Sequence, residues 1–338
     1  MKKEIVILDP FLDQAIAIAK YLKKYGNYHI IGCIDSQKRG ILSRYQNHKY
    51  FDEIIEHEIN KKLLDRYTIV VPTGGYSTQR YFDIAAECRV GEVIFKKENL
   101  RVSDKIDMLD LCIKIDVPVP KTYGLDEKNL NFPLFCKSKH ENSTLPKVRK
   151  ILRKQSDFDK LPHNDVIIQD YINYPSYFGV AFIAKEGKII TSFVQKLILS
   201  YPIRVGSGLL LKKIENETLI KHTATLLEAL NYSGWGLADF IYNPKKDEYV
   251  FMEINAKFWA SLEFTLLSNS EFGRLLFGLD YASKPTKYFT FINRLLVTYS
   301  WRVFRYLPEI IVSYKSKSGS WRKMIVEFLN HWGGVFKK

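Results

Sequence analysis

Two carboxylates and one amide have the residue types and the spacing that bind a divalent cation. Glu253 and Asn255 are two residues apart in an apolar run, and Asp239 lies in a second apolar run at residues 237–242. Residues two apart on a strand share a face, and the turn-forming residues 243–247 predict that the two runs form a hairpin. Such a ligand set suits Mg²⁺, or Mn²⁺ as a second choice, with water and phosphate completing the shell. A surface hairpin with unrelated acidic residues is the alternative.

The elements that would position these residues fall into three regions. Strands at 4–8, 29–34, 68–71 and 92–95, with a helix at 13–25, predict a parallel sheet covered by helices over residues 1–100. The order of elements in residues 101–280 then fits two small mixed domains that face each other. The fold class expected is therefore α/β followed by α+β. Residues 281–338 form a basic C-terminal segment.

Within the second region the elements are assigned from apolar patterning and turn residues. They are a helix at 104–115, a strand at 133–137, a basic helix near 147–154, strands at 166–169, 178–184, 187–193 and 209–212, a helix at 217–230, and strands at 237–242 and 249–254.

Charge is concentrated at the C-terminal end of the chain. The net charge is +14, and residues 284–338 contain eleven Lys or Arg against two Glu. A helix predicted at 289–307 places Arg294, Arg302 and Arg305 on one side. Together with nearby tryptophans, this pattern predicts either a membrane-surface element or a helix docked on the rest of the protein. No nucleic-acid reader motif occurs, so nucleic acid is not an expected partner.

Four unpaired cysteines, without ligand spacing, predict a reduced compartment and no zinc site. No signal peptide and no apolar run of about 18 residues is recognised. The expectation is a cytoplasmic protein, with peripheral attachment to the inner membrane face as a variant. Its oligomeric state is left open.

The runs at 234–240 and 251–261 resemble the metal-binding end of ATP-grasp enzymes, above all carboxylate–amine ligases and carbamoyl-phosphate-synthetase-like members. The resemblance continues upstream at Asp104-Lys105, at 117–122, at 132–137 and at 166–172. It implies that residues 1–100 are a pre-ATP-grasp domain. It also implies that residues 101–280 form an ATP-grasp fold, with a small lobe at about 101–168 and a large lobe at about 169–280.

The resemblance also implies roles for individual residues. Magnesium would be held by Asp239, Glu253 and Asn255, and ATP phosphates would contact the cations Lys105, Lys137 and Lys196. The adenine would pair with backbone groups of the interlobe hinge, formed by Gln169, Asp170, Tyr171 and Ile172. Catalytic cations would be Lys196, Arg204 and Lys257. In the reaction implied, a carboxylate takes the γ-phosphoryl group of ATP as an acyl phosphate, and an amine then displaces phosphate to form an amide.

Three departures from the family pattern are visible. The loop at 138–144 contains no glycine, Ser176 stands where a ribose-binding Glu is expected, and Lys257 replaces an Arg. A non-catalytic nucleotide-binding module, or a membrane- or polyanion-binding protein, are the alternatives to a ligase. Similar proteins suggest a small, lipid-linked or sugar-linked carboxylate and an amine as substrates, in bacterial cell-surface polysaccharide synthesis.

Overall fold

The structure is a computed structural model, and it describes most of the chain. The described residues are 2–36, 48–127, 130–139, 148–161, 165–173, 176–201, 207–281, 286–291, 305–306, 308–310 and 313.

A parallel four-stranded sheet forms the N-terminal region, as the alternation of strand and helix predicts. Its strands are β1 (Lys3–Leu8), β2 (Tyr28–Ile34), β3 (Glu53–Glu56) and β4 (Val70–Val71), in the order β3-β2-β1-β4. Its helices are α1 (Asp13–Tyr25), α2 (Lys61–Arg66) and α3 (Gly75–Ile84). Short 3₁₀ segments lie at His48–Tyr50 and Lys97–Ser103.

The prediction of a fourth parallel strand at residues 92–95 is wrong. That segment is β6 (Val93–Lys96), which pairs antiparallel with β5 (Glu87–Val90) in a separate hairpin. The edge position of the parallel sheet is taken by β3 instead. Its sequence, Glu-Ile-Ile-Glu, has two charged ends and no fully buried residue, so it lacks the apolar signal of a central strand.

The turn between β5 and β6 is a site where an added methyl group should be poorly tolerated. Gly91 has a φ of 62°, and a Cβ there would lie 2.4 Å from the carbonyl oxygens of Leu275 and Leu276. Gly278 has a similar φ of 66° with nothing within 4 Å, so it is a matched control. We expect Gly278→Ala to cost about 1–2 kcal/mol of unfolding free energy from backbone strain, and Gly91→Ala about 1–3 kcal/mol more from overpacking.

Urea denaturation of both variants measures this difference as a shift in midpoint at unchanged slope. Equal losses in the two variants would mean that the segment around Leu275 yields at little cost.

The small lobe is built around a second sheet with its own core. Its elements are α4 (Lys105–Lys114), β7 (Thr122–Tyr123), β8 (Leu134–Ser138), β9 (Arg149–Leu152), α5 (Gln155–Phe158) and β10 (Val166–Asp170), with the strand order β7-β10-β8-β9. The core of this lobe includes Leu134, Cys136, Leu152 and Ile168, and it is separate from the core of the other two regions.

The basic helix predicted near residues 147–154 is wrong, because this segment contains the strand β9. Leu152 lies opposite Leu134 on β8 and is fully buried. Burial of Leu152 in the lobe core, with Arg149 and Lys150 exposed, fits a strand at the edge of a sheet.

The large lobe is a six-stranded antiparallel sheet in the order β15-β14-β11-β12-β13-β16. Its strands are β11 (Ser176–Lys185), β12 (Lys188–Tyr201), β13 (Ser207–Lys213), β14 (Gly234–Asn243), β15 (Glu248–Asn255) and β16 (Tyr288–Thr290). Its helices are α6 (Glu217–Leu230), α7 (Leu262–Ser268) and α8 (Ser270–Phe277). One continuous apolar core joins this lobe to the N-terminal region, for example through Phe95 and Trp235, whose ring centroids are 5.1 Å apart.

The C-terminal segment contributes to this sheet. The helix predicted from residue 289 does not begin there, because Tyr288–Thr290 is a strand paired with β13 and Phe289 is buried. Further on, Ile310 packs against Leu199, Leu209 and Leu210. These contacts favour the docked interpretation of the segment, although Arg294 and Arg302 lie outside the described residues. In the described part of the chain, no helix has the length and apolar character needed to cross a membrane.

Candidate active site

The three predicted metal ligands lie together on one face of the large sheet. Asp239 on β14 is directly opposite Glu253 on β15, and Asn255 is two residues further along β15. The Asn255 amide Nδ2 donates to Asp239 Oδ2 at 2.9 Å and approaches Glu253 Oε1 at 3.5 Å. A turn of only four residues separates the two strands, so the hairpin register brings the two carboxylates face to face.

This acidic pair is electrostatically unfavourable without a cation. Burial raises the pKa of Asp239 well above its ordinary value, the negative charge of Glu253 raises it further, and the Asn255 hydrogen bond opposes the shift. A divalent cation would favour the ionised pair, and the Asn255 amide could turn its oxygen toward the cation. The donor chemistry therefore fits Mg²⁺, which commonly takes one or two carboxylates and relies on phosphate oxygens for the rest.

The described residues contain no group of three or more His, Cys, Asp or Glu side chains placed to hold a metal. The set of two carboxylates and one amide is consequently an incomplete shell. It would need water and a ligand such as a phosphate to complete an octahedron.

Three cations from the small lobe face this acidic pair across a cleft of about 450 Å³. Lys137 comes from β8, Arg149 from β9 and Lys105 from the first turn of α4. The Lys105 Nζ donates to the carbonyl oxygen of Ser138 at 3.1 Å, which holds this side chain at the base of the lobe. The cleft thus has an anionic wall and a cationic wall from different lobes.

Burial lowers the pKa of Lys137 to about 8. The carboxylate of Glu253 opposes this shift, whereas the positive charges of Lys105 and Arg149 reinforce it. A cation crowded by two others and only partly neutralised by one carboxylate favours an anionic ligand.

Arg149 is a cleft residue that the sequence interpretation missed. The basic run around it was interpreted as a solvated helix, and only the strand pairing of β9 with β8 places it beside Lys137. The available signal was the apolar pair that ends the run, Ile151 and Leu152, of which Leu152 is fully buried.

Apolar side chains line the rest of the cleft, where a flat aromatic ring could be accommodated between the lobes. They include Phe135 and Val148 from the small lobe and Phe178, Phe240 and Met252 from the large lobe.

The four predicted hinge residues connect the lobes but do not place their side chains in the cleft lining. Gln169 is buried, and its Nε2 donates to Thr122 Oγ1 at 3.2 Å. The Asp170 backbone N–H donates to the carbonyl oxygen of Lys121 at 2.9 Å, so this N–H already has a hydrogen-bond partner within the protein. Tyr171 and Ile172 follow, half-buried, in the connection from β10 to β11. The adenine contact through the backbone of these residues stays a prediction.

Of the three predicted catalytic cations, the two that the structure describes, Lys196 and Lys257, are not among the residues lining the cleft. The Lys196 ammonium lies 5.4 Å from the ring centroid of Phe178, and the cleft-lining residue at this point of β12 is its neighbour Gln195. Lys257 lies beside Gly75 at the start of α3, with Nζ 3.3 Å from where a Gly75 Cβ would be, and its charge lowers the pKa of Asp239. Arg204 lies outside the described residues.

A buried polar pair, Gln195 and Ser261, was also missed by the sequence interpretation. The Gln195 Nε2 donates to Ser261 Oγ at 2.8 Å, both residues line the cleft, and Gln195 Oε1 has no hydrogen-bond partner among the described residues. This oxygen is therefore an acceptor that a bound ligand could satisfy.

The sequence matches a family model described as the carbamoyl-phosphate synthase L chain, ATP binding domain, over residues 194–266. That stretch contains the Asp239, Glu253 and Asn255 cluster and the Gln195–Ser261 pair. The chain is 23% identical over 215 residues to the D-aspartate ligase of Enterococcus faecium (strain Aus0004), covering 55% of this chain and 51% of that protein. It therefore spans about half the length of this curated relative.

Two solved structures show a shared fold. The N5-carboxyaminoimidazole synthetase from Staphylococcus aureus, complexed with ADP, has a TM-score of 0.61 at 12% identity over 84% of this chain and 80% of that one. The L-amino acid ligase from Bacillus licheniformis has a TM-score of 0.56 at 9% identity over 85% and 78%.

Proposed function

Because the chain belongs to the ATP-grasp superfamily, we propose that it is a magnesium-dependent ligase that joins a carboxylate to an amine at the expense of ATP. The single observation that carries this proposal is the arrangement of charge across the cleft. Two carboxylates from the large lobe face three cations from the small lobe. A triphosphate bridged by a metal ion has the charge pattern that fits both walls at once.

In this proposal Asp239, Glu253 and Asn255 hold Mg²⁺, which when bound neutralises phosphate oxygens and orients the triphosphate. Lys137 and Lys105 hold the phosphates from the opposite wall, where burial strengthens their charge interactions. Lys196 and Lys257 contribute positive charge at the edge of the site. The backbone of Tyr171 and Ile172 contacts the adenine.

The chemistry requires positioning and charge stabilisation but no covalent group of the protein. A carboxylate oxygen of the substrate forms a bond to the γ-phosphorus as the bond to the β,γ-bridging oxygen breaks, which releases ADP. The amine then attacks the acyl carbon, phosphate leaves, and the amine loses a proton. The acceptor oxygen of Gln195 is available to orient a substrate N–H or O–H group.

The names of the relatives suggest substrate classes for this chain. One is named a D-aspartate ligase and another an L-amino acid ligase, so an amino acid is the first class to test as carboxylate and as amine. A sugar acid of a cell-surface polysaccharide remains a second class, suggested by the sequence resemblance.

The test is release of phosphate from ATP and Mg²⁺ in the presence of a matrix of D- and L-amino acids, sugar acids and amines, with product masses recorded. We expect release that requires both a carboxylate and an amine, and a product whose mass is the sum of the two less one water. Nucleotide binding is followed separately by thermal stability, since a ligand at a hundredfold excess over Kd stabilises by about 2.7 kcal/mol.

ATP binding without release for any pair would favour the non-catalytic nucleotide-binding alternative. No stabilisation by ATP and Mg²⁺ in a folded protein would overturn the proposed site altogether.

A further inference from the structure

Phosphate-binding loops commonly use backbone N–H groups, which glycine leaves accessible. The segment 138–144, which follows β8 in the sequence, contains no glycine. Side-chain donors of the small lobe therefore gain importance for a triphosphate in this cleft. The charged side chain there that the proposed function leaves without a role is Arg149.

The position of Arg149 is determined by the base of the hairpin between β8 and β9. The Ser138 N–H donates to the carbonyl of Val148 at 2.9 Å, and the Val148 N–H donates to Ser138 Oγ at 2.8 Å. This double contact sets the register in which Arg149 lies directly opposite Lys137. Opposed residues of an antiparallel pair share a face, and both side chains line the cleft.

The electrostatics agree with this placement. Arg149 lines the same cleft as Lys137 of its own lobe and as Asp239 and Glu253 of the other lobe. Its positive charge therefore borders both walls of the cleft. Two like charges side by side on neighbouring strands repel one another, and an anion between them and the acidic pair relieves this repulsion.

We propose that Arg149 binds the terminal phosphates of the nucleotide and supplies, from the strand β9, donors that a glycine-rich loop would otherwise provide. The proposal rests on the ATP site proposed above. A guanidinium can bind two phosphate oxygens at once through the fixed geometry of its planar fork, whereas an ammonium acts as a point charge. Arg149 lies directly opposite Lys137, and both residues line the same cleft as Asp239 and Glu253. The phosphates that Arg149 contacts are therefore those next to the metal ligands.

The experiment is isothermal titration of the full chain with AMP, ADP and a non-hydrolysable ATP analogue, each with Mg²⁺. The variants are Arg149→Ala, Arg149→Lys and the control Arg153→Ala, which removes another exposed Arg beyond the end of the same strand. We expect Arg149→Ala to weaken binding of ADP and the analogue by roughly 10- to 100-fold, the range of a charged hydrogen-bonded contact. Arg149→Lys should recover only part of this loss.

AMP affinity should stay within about twofold of the unmodified protein for every variant, because AMP lacks the terminal phosphates. The Arg153→Ala control should bind all three nucleotides normally. Unchanged analogue binding in Arg149→Ala, an equal loss for AMP, or an equal loss in Arg153→Ala would each overturn the assignment while the ATP site stands. Failure of the unmodified protein to bind ADP or the analogue would overturn this proposal and the proposed function together.

Discussion

Glu253→Gln is expected to reduce magnesium-dependent ATP turnover by roughly three orders of magnitude, an effect of the size seen when transition-state charge stabilisation is lost. The substitution keeps the shape of the side chain and removes one of only two carboxylates in the cluster. Asp239 and Asn255 alone would hold a divalent cation weakly. Phosphate release at saturating ATP and a series of Mg²⁺ concentrations measures the loss.

The stability of the same variant separates this effect from misfolding. Burial raises the pKa of Asp239, and the negative charge of Glu253 raises it further, so each carboxylate disfavours ionisation of the other in the free protein. Glu253→Gln should therefore raise Tm without ligand and abolish the further rise that ATP and Mg²⁺ cause in the unmodified protein. Glu248→Gln is the control, because Glu248 lies at the other end of β15 and pairs with Lys246 at 3.7 Å. Normal turnover in Glu253→Gln, or an equal loss in Glu248→Gln, would contradict the metal assignment.

Local pairing explains why the metal ligands could be predicted from sequence. Asp239 and Glu253 lie on two strands joined by a short turn, and Asn255 follows by the simple alternation of a strand. No long-range information is needed to bring these three side chains together. The helices α1 and α6 were predictable for a similar reason, since each has a complete amphipathic repeat with a clear end.

The remaining parts of the site depend on contacts distant in sequence. Arg149 faces the cleft only because β9 pairs with β8, and its basic neighbours resemble a solvated helix when taken alone. Gln195 meets Ser261 across the large lobe, and neither residue is distinctive in sequence. The strand β16 is short and joins β13 from far along the chain, so a helical pattern starting at residue 289 could compete with it in prediction.

Lys137→Met is expected to stabilise the free protein and to remove most of its affinity for ATP. Burial and neighbouring cations lower the pKa of Lys137 from 10.5 to about 8, so its charged form is disfavoured in the folded state. At pH 7 this cost is up to about 3 kcal/mol, and an apolar side chain of similar length avoids it. Tm without ligand should therefore rise, while the stabilisation by ATP and Mg²⁺ should largely disappear.

The pH dependence of folding stability separately tests whether the charge of Lys137 destabilises the free protein. Unfolded Lys137 stays protonated up to its ordinary pKa of 10.5, whereas the folded form loses its proton near pH 8. The folded state therefore binds fewer protons between these values, and stability from this group rises with pH there. The Tm advantage of Lys137→Met should be full below about pH 8 and shrink toward pH 10, and ATP binding by the unmodified protein should weaken as pH rises through about 8.

Lys150→Met, on the opposite face of β9, should show neither change. A destabilised Lys137→Met variant, or a Tm difference that grows with pH, would show that the Lys137 charge stabilises the free fold rather than serving the nucleotide.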